Sequence, residues 1–314
     1  MIRMLCPEPA SFSISGLEYA SKKCELTALS LTSAQFEEQA SSYDSILLRF
    51  NTKITSSILT PSSKIKAIIS PTTGLDHIDM DIAQKSGVKI FHLKGEKKFL
   101  KGISGTAEHT IGLMLSLMRK IPQAYEAAKN NIWIPGPYRG NEVARKTLAI
   151  VGCGRLGSKV ARIGVALDMK VIAYDPYIKR FPSRVEVRKT LSDVIKDADI
   201  LSLHVPLNSQ TNHMISYDEI NQLKDGVVII NTSRGSIIST EALLKGLETR
   251  KIAGAALDVL ENEHSIGKFL HPLIKYANNH DNLLITPHIG GATYESVENT
   301  DRFILDKYFS DTKS

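Results

Sequence analysis

The chain has 314 residues, 42% hydrophobic and 23% charged, the balance of a folded globular protein long enough for two domains. Its 39 basic and 33 acidic side chains leave a formal charge of +6, scattered without a run of like charges, so a solvated basic surface is expected and not a nucleic-acid-binding one. No apolar stretch approaches a membrane span, Pro7 and Pro9 interrupt any signal-peptide core, and the widely spaced Cys6, Cys24 and Cys153 suit a reducing, cytoplasmic setting better than a disulfide framework or a zinc site.

In chain order, "DSILLRF", "KIKAIIS" and "VKIFHL" predict three strands within the first hundred residues. Between the last two, "HIDMDIAQKSG" predicts a helix closed by Gly87. Residues 104–131, beginning "SGTAEHTIGLMLSLMRK", are apolar on most sides and predict one or two buried helices. "TLAIVGCGRLGSKVARIG" then opens a second series, with strands expected in "KVIAYD", "ADILSLHVP", "GVVIINTS", "KIAGAALDV" and "NLLITPH". The last segment, "TYESVENTDRFILDKYF", has helical period. Such alternation implies parallel sheets with helices on both faces. The spacing leaves the final helix two options: staying with the second domain or crossing back to the first.

Gly152, Gly154 and Gly157 form a G-x-G-x-x-G pattern that follows an apolar strand and opens a helix. Gly152 permits a tight turn, Gly154 lets the backbone approach a pyrophosphate, and Gly157 allows close packing of helix on strand. Amides at the helix start then face the phosphates. Asp175, at the end of the next strand, is placed to accept hydrogen bonds from ribose hydroxyls. A glycine turn beside a surface aspartate is the plainer alternative, and the complete strand–loop–helix–strand–acid context weighs against it.

Further candidate residues fall at the ends of later strands, where open parallel sheets bind ligands. They are His204, Pro206 and Thr211 in "LHVPLNSQT", Arg234 in "NTSRG", Asp258, Glu261 and Glu263 in "ALDVLENE", and His288 in "TPHIGG". Singly, each is ordinary: a hydrogen-bonded histidine, an arginine in a surface pair, loop carboxylates. Their joint position on the ligand-binding edge, beside a dinucleotide loop, points to an active site.

Over nearly its whole length the chain resembles the D-isomer-specific 2-hydroxyacid dehydrogenases. The resemblance rests on "TTGLDHID", "GTAEHTIGLML", "KTLAIVGCGRLG", "YDPY", "LHVPL", "NTSRG", "GAALDVLENE" and "TPHIGG", in the family's order. It implies an α/β architecture of two Rossmann-like, doubly wound parallel-sheet domains, one inserted into the other. A discontinuous, flavodoxin-like substrate domain would take residues 1–101 and 289–314, and an NAD-binding Rossmann domain residues 102–288. The family pattern makes Arg234, Glu263 and His288 the catalytic set. It adds Thr106, Arg155, Leu156, Thr232, Ser233, Asp258, Gly290 and Gly291 to the NAD contacts, and assigns the substrate carboxylate to Thr73, Gly74 and Leu75. No metal is implied, and a homodimer through the dinucleotide domains is. The apolar "TIGLMLSLM" helix would serve either that contact or a core between domains.

Hydride transfer between C2 of a 2-hydroxy acid and the nicotinamide ring requires an acceptor for the hydroxyl proton. His288 suits that role near neutral pH, with Glu263 as its carboxylate partner. Arg234, a permanent charge at a strand tip, suits a grip on the substrate carboxylate and polarisation of the developing carbonyl. The expected activity is therefore NAD-dependent oxidoreduction of a small D-2-hydroxy or 2-keto acid. D-3-phosphoglycerate dehydrogenase of serine biosynthesis is the alternative within the enzymes, and an NAD-sensing, corepressor-like binding protein the alternative outside them. Three departures from the pattern stand out: Glu263 is followed by His264 where the family has proline, the Lys146-Thr147 pair follows Arg145 where it has glycine, and Ser70-Pro71-Thr72-Thr73 lacks the arginine of phosphoglycerate-specific members. The length is that of a short form without an added regulatory domain.

Overall fold

The computed structural model describes residues 1–263, 266–267 and 269–312. His264, which carries one of the departures from the family pattern, lies outside them. The chain separates into two compact units, Met1–Ile103 with Ala292–Ser314, and Ser104–Gly291.

The first unit holds β1 (Arg3–Cys6), β2 (Glu25–Ala28), β3 (Ser45–Leu47), β4 (Ala67–Ser70) and β5 (Lys89–His92) in the order β2-β1-β3-β4-β5, every pair parallel. That is the flavodoxin-like order, with its switch point between β1 and β3. Along β1, Met4 and Cys6 enter one core with Leu47 and Ile69, while Leu5 enters the opposite one with Ile46 and Ile68. Period-two alternation with apolar residues on both faces is what a parallel sheet covered on both sides demands. The helix Met80–Lys85 ends as expected at Gly87, which takes φ +68°. The last helix, Tyr294–Asp311, supplies Ile304, Leu305, Tyr308 and Phe309 to this unit's core.

In the second unit, β6 (Thr147–Val151), β7 (Lys170–Tyr174), β8 (Val185–Val187), β9 (Ile200–Leu203), β10 (Val227–Asn231), β11 (Ile252–Leu257) and β12 (Leu283–Ile285) form a parallel sheet in the order β12-β11-β10-β9-β6-β7-β8. Strand order reverses between β6 and β9, so the loops after those two strands flank the crevice where such sheets hold ligands. Leu148, Ile150, Val228 and Ile230 face one core, and Ala149, Val151, Val227 and Ile229 the other.

The expectation of one or two buried helices in residues 104–131 is half met. Gly105–Met118 is buried through Ala107, Ile111, Leu113, Met114 and Met118, all within this unit's core. In Ile121–Lys129 only Ala127 is buried, and Ile121 and Tyr125 face outward, so this second helix is a surface element. No helix among the described residues is long and apolar enough to cross a membrane.

Candidate active site

Every polar residue expected at the second sheet's ligand edge sits on a strand-end turn. After β6, Gly152 takes φ +86°, and a Cβ there would lie 2.7 Å from the carbonyl oxygen of His204. At Gly157 a Cβ would overlap the carbonyl of Gly152, whereas nothing lies within 4 Å of one at Gly154. The turn is thus closed on the protein side and open at Gly154. Gly154 caps the helix Arg155–Ala166, whose first amides, at Arg155, Leu156 and Gly157, lack helical acceptors. At the end of β7, Asp175 accepts from the amides of Cys153 and Tyr177, both at 2.9 Å, which fixes its carboxylate beside the glycine turn.

His204, after β9, shares a 2.8 Å hydrogen bond between its Nε2 and Ser202 Oγ, and burial pushes its imidazole down to about 4. It is neutral at physiological pH. Thr211 Oγ1 donates to the Pro206 carbonyl at 2.6 Å and accepts from the Asn208 amide at 2.9 Å, so it holds its own loop in shape. Thr232 Oγ1 meets Thr110 Oγ1 at 2.8 Å, and Ser233 Oγ donates to Asn231 Oδ1 at 2.6 Å.

Arg234 follows β10 in extended conformation and precedes the short 3-10 turn Gly235–Ile237. Asn231 Nδ2 donates to its carbonyl at 2.8 Å. A Cβ at position 235 would overlap the backbone of Leu260 and Glu261. Glycine after the arginine is therefore what lets this turn press against the segment carrying Glu263.

The carboxylates after β11 separate into distinct uses. Glu261 accepts from His213 Nε2 at 2.7 Å and Thr240 Oγ1 at 2.9 Å. Burial raises its carboxyl, but these two bonds outweigh it and leave the group below the usual range. Glu263 Oε1 lies 2.6 Å from His288 Nδ1, while its other oxygen accepts from the Leu260 amide at 3.2 Å. Glu263, not Glu261, is therefore the partner of His288. Asp258, 2% exposed, accepts through Oδ1 from Thr286 Oγ1 at 2.6 Å and the Ile289 amide at 2.8 Å, and through Oδ2 from the Gly290 amide at 2.7 Å. His109 Nε2 stands 3.2 Å from Oδ1. Burial pushes the Asp258 carboxyl up, but the bonds from His109, Thr286 and the two amides hold it below its ordinary value.

His288 itself is left-handed, φ +55°, a conformation that costs a non-glycine residue about 1–2 kcal/mol. Its amide donates to the carbonyls of Asp258 (2.9 Å) and Thr286 (3.0 Å). Three successive amides, 288 to 290, thus end on Asp258. With Nδ1 on Glu263, the ring presents Nε2 for proton exchange, a tautomer assigned from this bonding pattern. Sequence reasoning missed His109, although "GTAEHTIGLML" contains it; a polar residue three positions from Thr106 on an otherwise apolar helix was the available signal.

In the first unit, the loop after β4 carries the other expected site. Thr72 Oγ1 donates to the Gly74 carbonyl at 2.8 Å and pairs with Ser70 Oγ at 2.8 Å. Among the described residues, the Gly74 and Leu75 amides donate no backbone hydrogen bond.

Comparison with known proteins places these features. The family model for the D-isomer specific 2-hydroxyacid dehydrogenase NAD-binding domain matches residues 111–290. Hydroxypyruvate reductase of Thermotoga maritima is 33% identical over 290 residues, 92% of each chain. D-3-phosphoglycerate dehydrogenase of Bacillus subtilis is 36% identical over 270 residues, 85% of this chain but 49% of that one, so the chain spans about half the length of such relatives. The crystal structure of D-lactate dehydrogenase from Aquifex aeolicus, complexed with NAD and lactic acid, superposes with a TM-score of 0.86 at 28% identity, covering 99% of this chain and 95% of the other.

Proposed function

Because the chain belongs to the D-isomer-specific 2-hydroxyacid dehydrogenase family and carries its NAD-binding domain, we propose that it interconverts a small 2-keto acid and the corresponding D-2-hydroxy acid. The observation that carries this reading is the 2.6 Å Glu263–His288 contact on a loop whose backbone is held left-handed by Asp258. NAD supplies the hydride acceptor or donor. The residues present fit it: the open Gly154 turn and the amides opening the helix Arg155–Ala166 suit a pyrophosphate, and Asp175 suits ribose hydroxyls.

His288 takes the hydroxyl proton in oxidation and returns one to the keto oxygen in reduction, through Nε2. Glu263 orients the ring and stabilises the imidazolium that oxidation forms. Arg234 grips the substrate carboxylate and polarises the carbonyl, and in the first unit the Gly74 and Leu75 amides are suited to a carboxylate as well. Asp175 disfavours a 2′-phosphate by like charge, so NADH is preferred over NADPH. A homodimer is supported by the outward-facing Ile121, Tyr125, Ile132, Trp133 and Ile134, with Trp133 86% exposed. The buried helix Gly105–Met118 is spent on its own unit's core.

An unphosphorylated substrate is favoured over 3-phosphohydroxypyruvate. Residues 70–73 bring no cation, and Arg49, which follows β3, is held in a buried pair with Asp301 at 2.5 Å. The test is NADH consumption against glyoxylate, hydroxypyruvate, pyruvate, bulkier 2-keto acids and 3-phosphohydroxypyruvate. Turnover of an unphosphorylated acid is expected, with His288→Ala losing about 10²–10⁴ in kcat while NADH binding is kept. A kcat/KM tenfold higher for 3-phosphohydroxypyruvate overturns the substrate class, and no turnover with any acid favours the NAD-sensing alternative.

A further inference from the structure

We propose that His109 is a positioning residue for the His288 proton transfer, acting through Asp258 on the backbone of residues 288–290. The role rests on the reading of His288 as acid and base. It is carried by geometry alone. Thr106, His109 and Thr110 lie at i, i+3 and i+4 on the helix Gly105–Met118 and therefore share one face. That face meets the strand-end loops: Thr110 Oγ1 bonds Thr232 Oγ1, and His109 Nε2 lies 3.0 Å from Thr286 Oγ1 and 3.2 Å from Asp258 Oδ1.

The hydrogen bonds have one consistent direction. Thr286 spends its single hydroxyl proton on Asp258 Oδ1, at 2.6 Å. Its oxygen is then an acceptor, so His109 Nε2 is the donor, shared between Thr286 and Asp258. Among the described residues, His109 is the only side chain able to carry positive charge that reaches this carboxylate. It therefore fixes the rotamer in which Oδ1 receives the Ile289 amide and Oδ2 the Gly290 amide. Those two bonds hold the turn that keeps His288 left-handed, with Nδ1 on Glu263. The packing leaves little slack: a Cβ on Gly290 would stand 2.8 Å from Asp258 Oδ2 and 3.6 Å from His109 Cδ2. Without the His109 donor the carboxylate can turn, the left-handed residue relaxes, and the imidazole moves away from the reacting oxygen.

Two variants separate this role from simple packing. His109→Leu keeps the bulk and removes the donor, whereas His109→Gln offers an amide N–H at nearly the reach of Nε2. Each is assayed with NADH and the best 2-keto acid of the wild type, and by hydrogen–deuterium exchange of residues 286–291. His109→Leu is expected to lower kcat about tenfold to a hundredfold, with the KM for NADH within about twofold of wild type and exchange in 286–291 accelerated. His109→Gln is expected to recover most of both. Wild-type kcat and exchange in His109→Leu overturn the proposal, as does a Gln variant that recovers neither. If the wild type reduces no 2-keto acid, the functional reading fails by itself, and the exchange measurements still decide whether His109 holds the loop.

Discussion

Each unit buries one aspartate almost completely, and the two are held in opposite ways. In the first unit, Asp301 is 0% exposed, paired with Arg49 at 2.5 Å and bonded by the Ser13 amide and hydroxyl at 2.8 and 2.9 Å. Burial still dominates there, and its carboxyl stays above the ordinary value despite Arg49 and Ser13. In the second unit, Asp258 has no arginine or lysine partner among the described residues, yet its ring of donors holds it below that value. Two of those donors are main-chain amides fixed by the turn they stabilise, so the charge is compensated by dipoles that need no reorganisation. The difference follows what each group does: Asp301 ties the helix Tyr294–Asp311 to the start of the helix Ile14–Ser21, whereas Asp258 shapes the turn that presents His288.

Breaking the ion pair has the largest expected effect on stability. Asp301→Ala leaves Arg49, whose side chain is only 12% exposed, buried beside Phe12 without its partner. A loss of about 3–5 kcal/mol in urea unfolding is expected, with NADH affinity unchanged in the protein that remains folded. A loss under about 1 kcal/mol would show that Arg49 escapes to water and that the pair is not structural.

Asp258→Asn reverses the balance. Its stability cost is smaller, about 1–3 kcal/mol, because the asparagine carbonyl still accepts while its NH₂ faces at least one donor. Its kcat is expected to fall by at least tenfold, since the His288 turn is disturbed. Stopped-flow hydride transfer beside equilibrium unfolding checks both, and an unchanged kcat would separate Asp258 from the proposed chemistry.

The smallest effect sharpens the comparison through pH. Asp258 has a lowered folded-state value, so its contribution is present above the unfolded value of about 3.9 and is lost as pH falls through the lower one. Asp301 has a raised value, so its contribution is complete below about 3.9 and is lost as pH rises through the higher one. The stability advantage of wild type over Asp258→Asn should therefore shrink on acidification below about pH 4, and that over Asp301→Asn should shrink on raising the pH above it. Parallel pH dependences for the two variants would contradict the assignment.

Much of the fold was legible because parallel strands buried on both faces read as short apolar runs, and eight such runs besides the glycine-motif strand coincide with β3 to β5, β7 and β9 to β12. The misses have local causes. In β1 the apolar run "MLC" is only three residues long and is cut by Pro7; β2 reads "ELTA", half polar; and β8 is a three-residue edge strand. In the site, Gly152 to Gly157, Arg234, Glu263 and His288 stood out by position after strands. His109 did not, because on a buried helix a single histidine carries no signature of what it will meet.

The sequence alone determined the elements that depend on near neighbours: strand alternation, the glycine turn opening the helix Arg155–Ala166, and the charged residues placed at strand ends. Spacing could not say which carboxylate answers which histidine: the resemblance named Glu263 for His288, and only the tertiary structure gave Glu261 to His213. Glu261 and Glu263 are two residues apart and indistinguishable by spacing, yet one turns to His213 and Thr240 and the other to His288. It likewise gathered His109, Thr286, Ile289 and Gly290 around Asp258. The reason is that local pattern fixes where a side chain sits on its own element, while its partners come from other elements, and a buried charge is tolerable only once all of them have arrived.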